Sequence, residues 1–221
     1  MALIKPASEP TRGSLAAASP EDDGTQLTHV DSAGAARMVD VSEKSATVRS
    51  AVATGILRTT TEVIGLMRRD GLSKGDALGT ARIAGIMGAK STADLVPLCH
   101  PIALTSVTVE LEPQGSQIFV RATVRTVGPT GVEMEALTAV AVAGLALHDM
   151  IKAVDPAAVM DNVRLEQKHG GKAGTWVRPS DANARTHIPA FKPTNDSGER
   201  SAAPTPGEVS DMEIPTPVRA Q

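Results

Sequence analysis

The sequence predicts an α+β domain in which helices pack on one face of an antiparallel sheet. Residues 107–124 hold two alternating apolar runs joined by a turn, residues 135–154 form an Ala- and Leu-rich stretch without proline, and another alternating run occupies residues 48–57. Strands followed by helices, with a hairpin between them, favour this layered arrangement.

In chain order, Val48, Ser50, Val52, Thr54 and Ile56 alternate with Arg49, Ala51, Ala53, Gly55 and Leu57, a period of two that predicts a strand. From Thr61 the spacing of Val63, Ile64 and Met67 predicts a helix, which Asp70-Gly71 stops. A second helix is expected from Asp76 to about Met87, with small residues such as Ala77, Ala81 and Ala84 allowing close packing and Gly88 ending it. Val107, Val109 and Leu111 predict one strand, and Ile118, Val120, Ala122 and Val124 the next, with Pro113-Gln114-Gly115-Ser116 as the hairpin turn. Val140, Gly144, Leu147 and Ile151 recur at helical spacing in the longest helix, expected over 135–154. Such a helix is apolar over most of its circumference and needs cover on more than one side, which points to a homo-oligomer. Residues 1–26 and 178–221 are rich in Ala, Ser, Pro, Gly and acidic residues, without apolar periodicity, and are read as disordered tails around a folded unit of 27–177.

Composition excludes several function classes. A formal charge of −3 argues against a general nucleic-acid binder, which needs a strongly basic face. Phe119, Phe191 and Trp176 are the only aromatic residues, too few for base-stacking platforms. No run of eighteen apolar residues suggests a membrane span, and the N-terminus lacks the layout of a signal peptide. Cys99 is the single cysteine, so no intrachain disulfide can form, in keeping with a cytoplasmic location. The histidines at 29, 100, 148, 169 and 187 show no zinc-type spacing, and no metal site is expected from them.

Four clusters carry candidate chemistry. Asp94-Leu95-Val96-Pro97-Leu98-Cys99-His100-Pro101-Ile102 is an apolar loop whose prolines restrict the backbone beside a thiol and an imidazole. It fits either a rigid presentation of His100 to a ligand or a buried turn with a satisfied histidine. Glu133 and Glu135 flank Met134 just before the long helix. On an extended segment they share a face and one carboxyl is raised into the proton-transfer range, whereas at a helix start they merely complement the dipole. Asp149 and Lys152, three apart, are neighbours on one helix face, where each keeps the other charged; a solvated surface pair has the same spacing. Lys168-His169-Gly170-Gly171-Lys172 combines glycines that admit an anion to the backbone with flanking cations, without the spacing of a Walker A loop; a basic flexible loop fits as well. Lys74 and Lys90 add two further cations.

Glu135 and Asp149 are fourteen residues apart, about 21 Å along one helix at 1.5 Å per residue. Both can act on one small substrate only if an antiparallel helix of a second subunit brings opposite ends together. A single site using both therefore lies at a subunit interface.

Taken together these segments resemble the cyclic pyranopterin monophosphate synthase (MoaC) family of molybdenum cofactor biosynthesis. The resemblance runs in order from about Leu27 to Gly174, through Leu27-Thr28-His29-Val30, Met38-Val39-Asp40-Val41-Ser42, Lys74-Gly75-Asp76, Thr80-Ala81-Arg82-Ile83-Ala84-Gly85-Ile86, Leu98-Cys99-His100-Pro101, Gly131-Val132-Glu133-Met134-Glu135-Ala136-Leu137-Thr138, Asp149-Met150 with Lys152-Ala153-Val154, and Gly170-Gly171-Lys172. It implies a ferredoxin-like α+β subunit, a hexamer built as a trimer of dimers, and an active site at the dimer interface. The implied reaction is that of a lyase, converting 3′,8-cyclo-7,8-dihydro-GTP to cyclic pyranopterin monophosphate and pyrophosphate. It needs no redox cofactor, and a magnesium ion riding on the substrate phosphates is compatible with it. By position, the resemblance makes Asp149 the catalytic acid/base with Lys152 and Lys74 as charged partners. Leu98, Cys99, His100, Glu133, Met134 and Glu135 are implied to bind substrate, with Lys168 and Lys172 on the triphosphate. His148 stands where the family often carries an aromatic residue, and Ala173 where serine is common. A different class, a nucleotide-binding regulatory module without turnover on the same scaffold, is opposed by retention of the lysines and acid/base candidates.

Overall fold

The computed structural model describes residues 34–179, so the predicted tails, apart from Arg178 and Pro179, and the segment around His29 lie outside the described residues. Its elements are β1 (Thr47–Arg58), α1 (Thr61–Arg68), α2 (Ala77–Lys90), α3 (Thr92–Leu95), β2 (Leu104–Gln114), β3 (Gln117–Gly128), α4 (Glu133–Ile151), β4 (Val159–His169) and β5 (Trp176–Val177). The sheet order is β2-β3-β1-β4-β5, and every pairing is antiparallel. The fold class is the α+β arrangement expected, with α4 against β1, β3 and β4, and α2 against α4 and β2.

Local chemistry sets the boundaries. The Thr60 hydroxyl accepts from the Val63 N–H and opens α1, while the Asp76 carboxylate accepts from the Gly79 N–H at 2.8 Å and opens α2. Gly115, with φ of 60°, makes the tight turn between β2 and β3. Pro113 is tolerated in β2 because that strand is at the sheet edge.

One face of the sheet carries Ala51, Ala53 and Leu57 of β1 with Ile118, Val120, Ala122 and Val124 of β3. They form a single core with Ala136, Ala139, Val140, Ala143, Leu147 and Ile151 of α4. Full burial of a side chain such as Leu147 contributes about 1.5–3 kcal/mol. By length and composition α4 could cross a membrane, but here it is the core helix under the sheet.

The sequence reading names neither the short α3, which takes Asp94 and Leu95 out of the expected loop, nor β5, and three further differences have a physical reason. Gly88 does not end α2, which continues to Lys90; Gly88 is instead where α2 meets α4, since a Cβ there would stand 2.8 Å from the Val142 Cβ. The long helix spans Glu133–Ile151 rather than 135–154, because Val154 and Asp155 close it with N–H bonds to the Ile151 carbonyl. β4 has no counterpart in the sequence reading. Its inward residues Met160 and Leu165 are five apart, an odd spacing that an uninterrupted strand would place on opposite faces. Two register shifts against β1, with Asn162 at φ of 52°, bring both to the helix side and erase the period of two.

Candidate functional site

Two polar clusters occupy opposite ends of α4. At its N-terminal end, the loop between α3 and β2 brings Leu98, Cys99 and His100 beside the first turn of the helix. Together with Glu133, Met134 and Glu135 they line a cavity of about 350 Å³. His100 Nε2 lies 2.8 Å from the Val39 carbonyl oxygen. A carbonyl only accepts, so Nε2 carries the proton in this contact and fixes the ring orientation. Glu135 is 4% exposed. Burial raises its carboxyl above the ordinary value and the charge of Glu133 adds to this, while the Glu135 backbone N–H opposes. The Cys99 thiol is also raised, first by burial and then by Glu135, so it is a thiol at neutral pH and not a ready nucleophile.

Glu133 and Glu135 do not form the shared-face pair that an extended segment would give. Both are in the first turn of α4, where residues two apart point in different directions. Glu133 reaches outward to Lys168, whose Nζ is 3.1 Å from Oε1, and Glu135 turns inward. The helix has Val132 at its N-cap and no side-chain cap bond, so its first N–H groups and these carboxylates share one small region.

A second cavity, about 340 Å³, borders the first and shares His100, Ile102 and Glu135 with it. Lys90 and Asp94 contribute to its wall. Of the residues around the two cavities, Lys44 and Thr130 were not singled out from sequence. Lys44 is three residues from Val41 and Thr130 adjoins Gly131, both on the same wall, but nothing in their local spacing signals a site.

At the C-terminal end of α4, Lys74 meets Asp149 across 75 residues of chain. Its Nζ donates to Asp149 Oδ2 at 2.6 Å and to the Asp149 carbonyl at 2.9 Å. Lys152 Nζ is 2.7 Å from Oδ1 of the same carboxylate, the i,i+3 contact expected on a helix. These two ammonium groups, Lys152 first, hold the Asp149 carboxyl down at about 2. Gly75 follows Lys74 at φ of 82°, the left-handed bend that turns the chain into the cap of α2.

The structure thus brings Leu98, Cys99, His100, Glu133, Met134, Glu135 and Lys168 to one end of α4, and Asp149, Lys152 and Lys74 to the other. Lys172 is on the exposed turn after β4. Fourteen residues of unbroken helix separate Glu135 from Asp149, about 21 Å along the axis. Among the described residues no group of three His, Cys, Asp or Glu side chains is placed to hold a metal ion.

A model of the MoaC family matches residues 38–171. The Cyclic pyranopterin monophosphate synthase 2 of Mycobacterium tuberculosis is 58% identical over 153 residues, covering 69% of this chain and 92% of that protein. The Cyclic pyranopterin monophosphate synthase of a Nocardioides species is 56% identical over 162 residues, with 72% of this chain and 99% of the relative covered. That of Streptomyces coelicolor is 56% identical over 158 residues, covering 72% and 93%.

Proposed function

The chain belongs to the MoaC family, and from that membership we propose that it is a cyclic pyranopterin monophosphate synthase of molybdenum cofactor biosynthesis. It converts 3′,8-cyclo-7,8-dihydro-GTP to cyclic pyranopterin monophosphate with release of pyrophosphate. The observation that carries the reading is the Lys74–Asp149–Lys152 cluster, in which two ammonium groups converge on one carboxylate from distant parts of the chain. Substrate phosphates compete with Asp149 for these lysines. When they draw the lysines away, the carboxylate loses the charges that hold its pKa down and becomes a better proton acceptor. Negative charge developing as pyrophosphate leaves is stabilised by the same ammonium groups.

The cavity at the other end of α4 suits the ring system. The buried Glu135 carboxyl, raised by its surroundings, is a proton carrier, and His100 is oriented through Val39 with its other ring nitrogen available to a ligand. Because one chain separates the two clusters by about 21 Å, the reading includes a homo-oligomer, a trimer of dimers, in which Asp149, Lys152 and Lys74 of one subunit complete the cavity of another. Lys168 and Lys172 are assigned to the triphosphate. The chemistry requires neither a redox cofactor nor a resident metal, and the reading places the protein in the cytoplasm with neither nucleic acid nor membrane as partner.

The test is incubation of the purified full chain with the cyclised dihydro-GTP, following pyrophosphate and pterin together. Both products should appear in equal amounts, and Lys152→Ala should slow their formation in a single turnover. A normal single-turnover rate in that variant would contradict the assignment.

A further inference from the structure

Lys74 and Asp149 reach one another from supports of unequal rigidity. Asp149 is carried by α4, where Leu147, Met150 and Ile151 on either side of it belong to the core. Lys74 is carried by the connection between α1 and α2, and both members of the pair are half-exposed. An ion pair so open to water does little to hold a loop in place. Packing beneath the connection is also incomplete. A cavity of about 110 Å³ is lined by Met67 at the end of α1, by Leu72 and Gly75 of the connection and by Asp76 and Ala77 at the start of α2.

Two anchors hold the connection. Upstream, Leu72 is in the core, and its carbonyl accepts from the Gly75 N–H at 3.0 Å, closing a four-residue turn with Lys74 at its third position. Downstream, Asp76 is tied to α2 by side chain and backbone together. Its carboxylate accepts from the Gly79 N–H at 2.8 Å, and its carbonyl accepts from the Thr80 N–H at 3.2 Å and from the Thr80 hydroxyl at 2.7 Å. The helix capped in this way is fixed in turn by Ala77 and Ala81, both in the core. Gly79 leaves the carboxylate its place, since a Cβ there would collide with Asp76 Oδ2.

We propose that Asp76 is a positioning residue for the reaction: by capping α2 it fixes the turn that delivers the Lys74 ammonium to Asp149. The need for Lys74 in turnover rests on the proposed function; the mechanical link from Asp76 to Lys74 rests on these contacts.

The link is read first without turnover. The full chain, free of substrate, is labelled with acetic anhydride, and the labelling of Lys74 relative to Lys152 is measured by mass spectrometry. Acylation needs the neutral amine, so an ammonium held against a carboxylate is protected and one set loose is not. Asp76→Ala should raise the Lys74 to Lys152 ratio and lower kcat by about ten- to a hundredfold, the scale on which a displacement of about 1 Å costs rate. Asp76→Asn loses the charge but keeps the cap, because asparagine serves as well as aspartate at this position, and should match wild type in both readouts. Gly79→Ala gains helix propensity while displacing the Asp76 carboxylate, so it should reproduce Asp76→Ala and still reports if that variant folds poorly. Thr60→Ala removes the corresponding cap from α1 and should leave kcat and the labelling ratio unchanged. Wild-type labelling in Gly79→Ala, damage in Asp76→Asn equal to that in Asp76→Ala, or an equal loss of kcat in Thr60→Ala would overturn the positioning role. The two readings fail separately. Labelling that follows the cap in a chain that yields no pterin keeps the link and loses the reaction. Raised labelling with an unchanged kcat in Gly79→Ala keeps the reaction and removes Asp76 from it.

Discussion

Glu135 and Asp149 share one helix, and their surroundings drive their carboxyl groups in opposite directions. Glu135 is buried beside Cys99 with Glu133 in the same turn, and its pKa is raised. Such a group binds more protons folded than unfolded, so stability is lost as pH rises from the unfolded value through the folded one. Glu135→Gln should therefore have a Tm above wild type at pH 8, with the gap closing as pH falls toward 4; melts at both pH values check this, and a constant gap would contradict a buried, raised carboxyl. Asp149 is lowered to about 2 by Lys152 and Lys74. Its contribution is present above the ordinary aspartate range and lost as pH falls toward that low value, so no Asp149 inflection belongs between pH 5 and 9. Asp149→Asn should lower kcat by about 10²- to 10⁴-fold, the usual scale for loss of a proton-transfer group, and equally across that pH window. A pH–rate profile of the variant is the measurement.

The contact between α2 and α4 depends on residues too small to register as core in a hydrophobic pattern. Ala77, Ala81, Gly85 and Ala89 follow one another at intervals of four along α2 and are all buried. A Cβ on Gly85 would lie 2.9 Å from the Ala139 carbonyl oxygen and 3.2 Å from the Ala143 Cβ. Alanine gains about 1 kcal/mol of helix propensity over glycine, but overpacking costs about 1–3 kcal/mol, so Gly85→Ala should be destabilising or at best neutral in urea unfolding. A clear gain in stability would mean that the helices can separate at no cost. These helices were legible from Val63, Ile64 and Met67, from the small residues of α2, and from the Val140–Ile151 spacing, because period and caps are local properties. Gly88 misled because a glycine needed for a close helix crossing looks in sequence like one that ends a helix. β4 was silent because its bulges put Met160 and Leu165 out of phase. The candidate site divides in the same way. Asp149 and Lys152 are neighbours on one turn and could be paired by spacing, and the resemblance supplied Lys74. By contrast, the Val39–His100 bond and the Lys168–Glu133 pair join segments that no local pattern connects.

Ile83 and Met87 of α2 and Leu145 of α4 are 62%, 62% and 69% exposed, large apolar side chains of the two helices that a lone subunit leaves in water. If one site uses both polar clusters, as proposed, the distance between them also calls for a second subunit against the helical surface. If each site takes Leu98, Cys99 and His100 from one chain and Lys74, Asp149 and Lys152 from another, damage to the two halves can be separated onto different chains. His100→Ala and Lys152→Ala should each be inactive as pure assemblies. After subunit exchange, a mixed pair carries one doubly damaged site and one intact site. Random pairing makes half of the dimers mixed, so activity should recover to about a quarter of wild type under two-fold symmetry. Exchange can be followed independently by a mass tag on one variant, so that recovery is scored only when mixed assemblies are present. Mixed assemblies without recovered activity would mean that each chain works alone. Activity would then require Asp149 and Glu135 to serve different substrates or different steps, against the single composite site proposed.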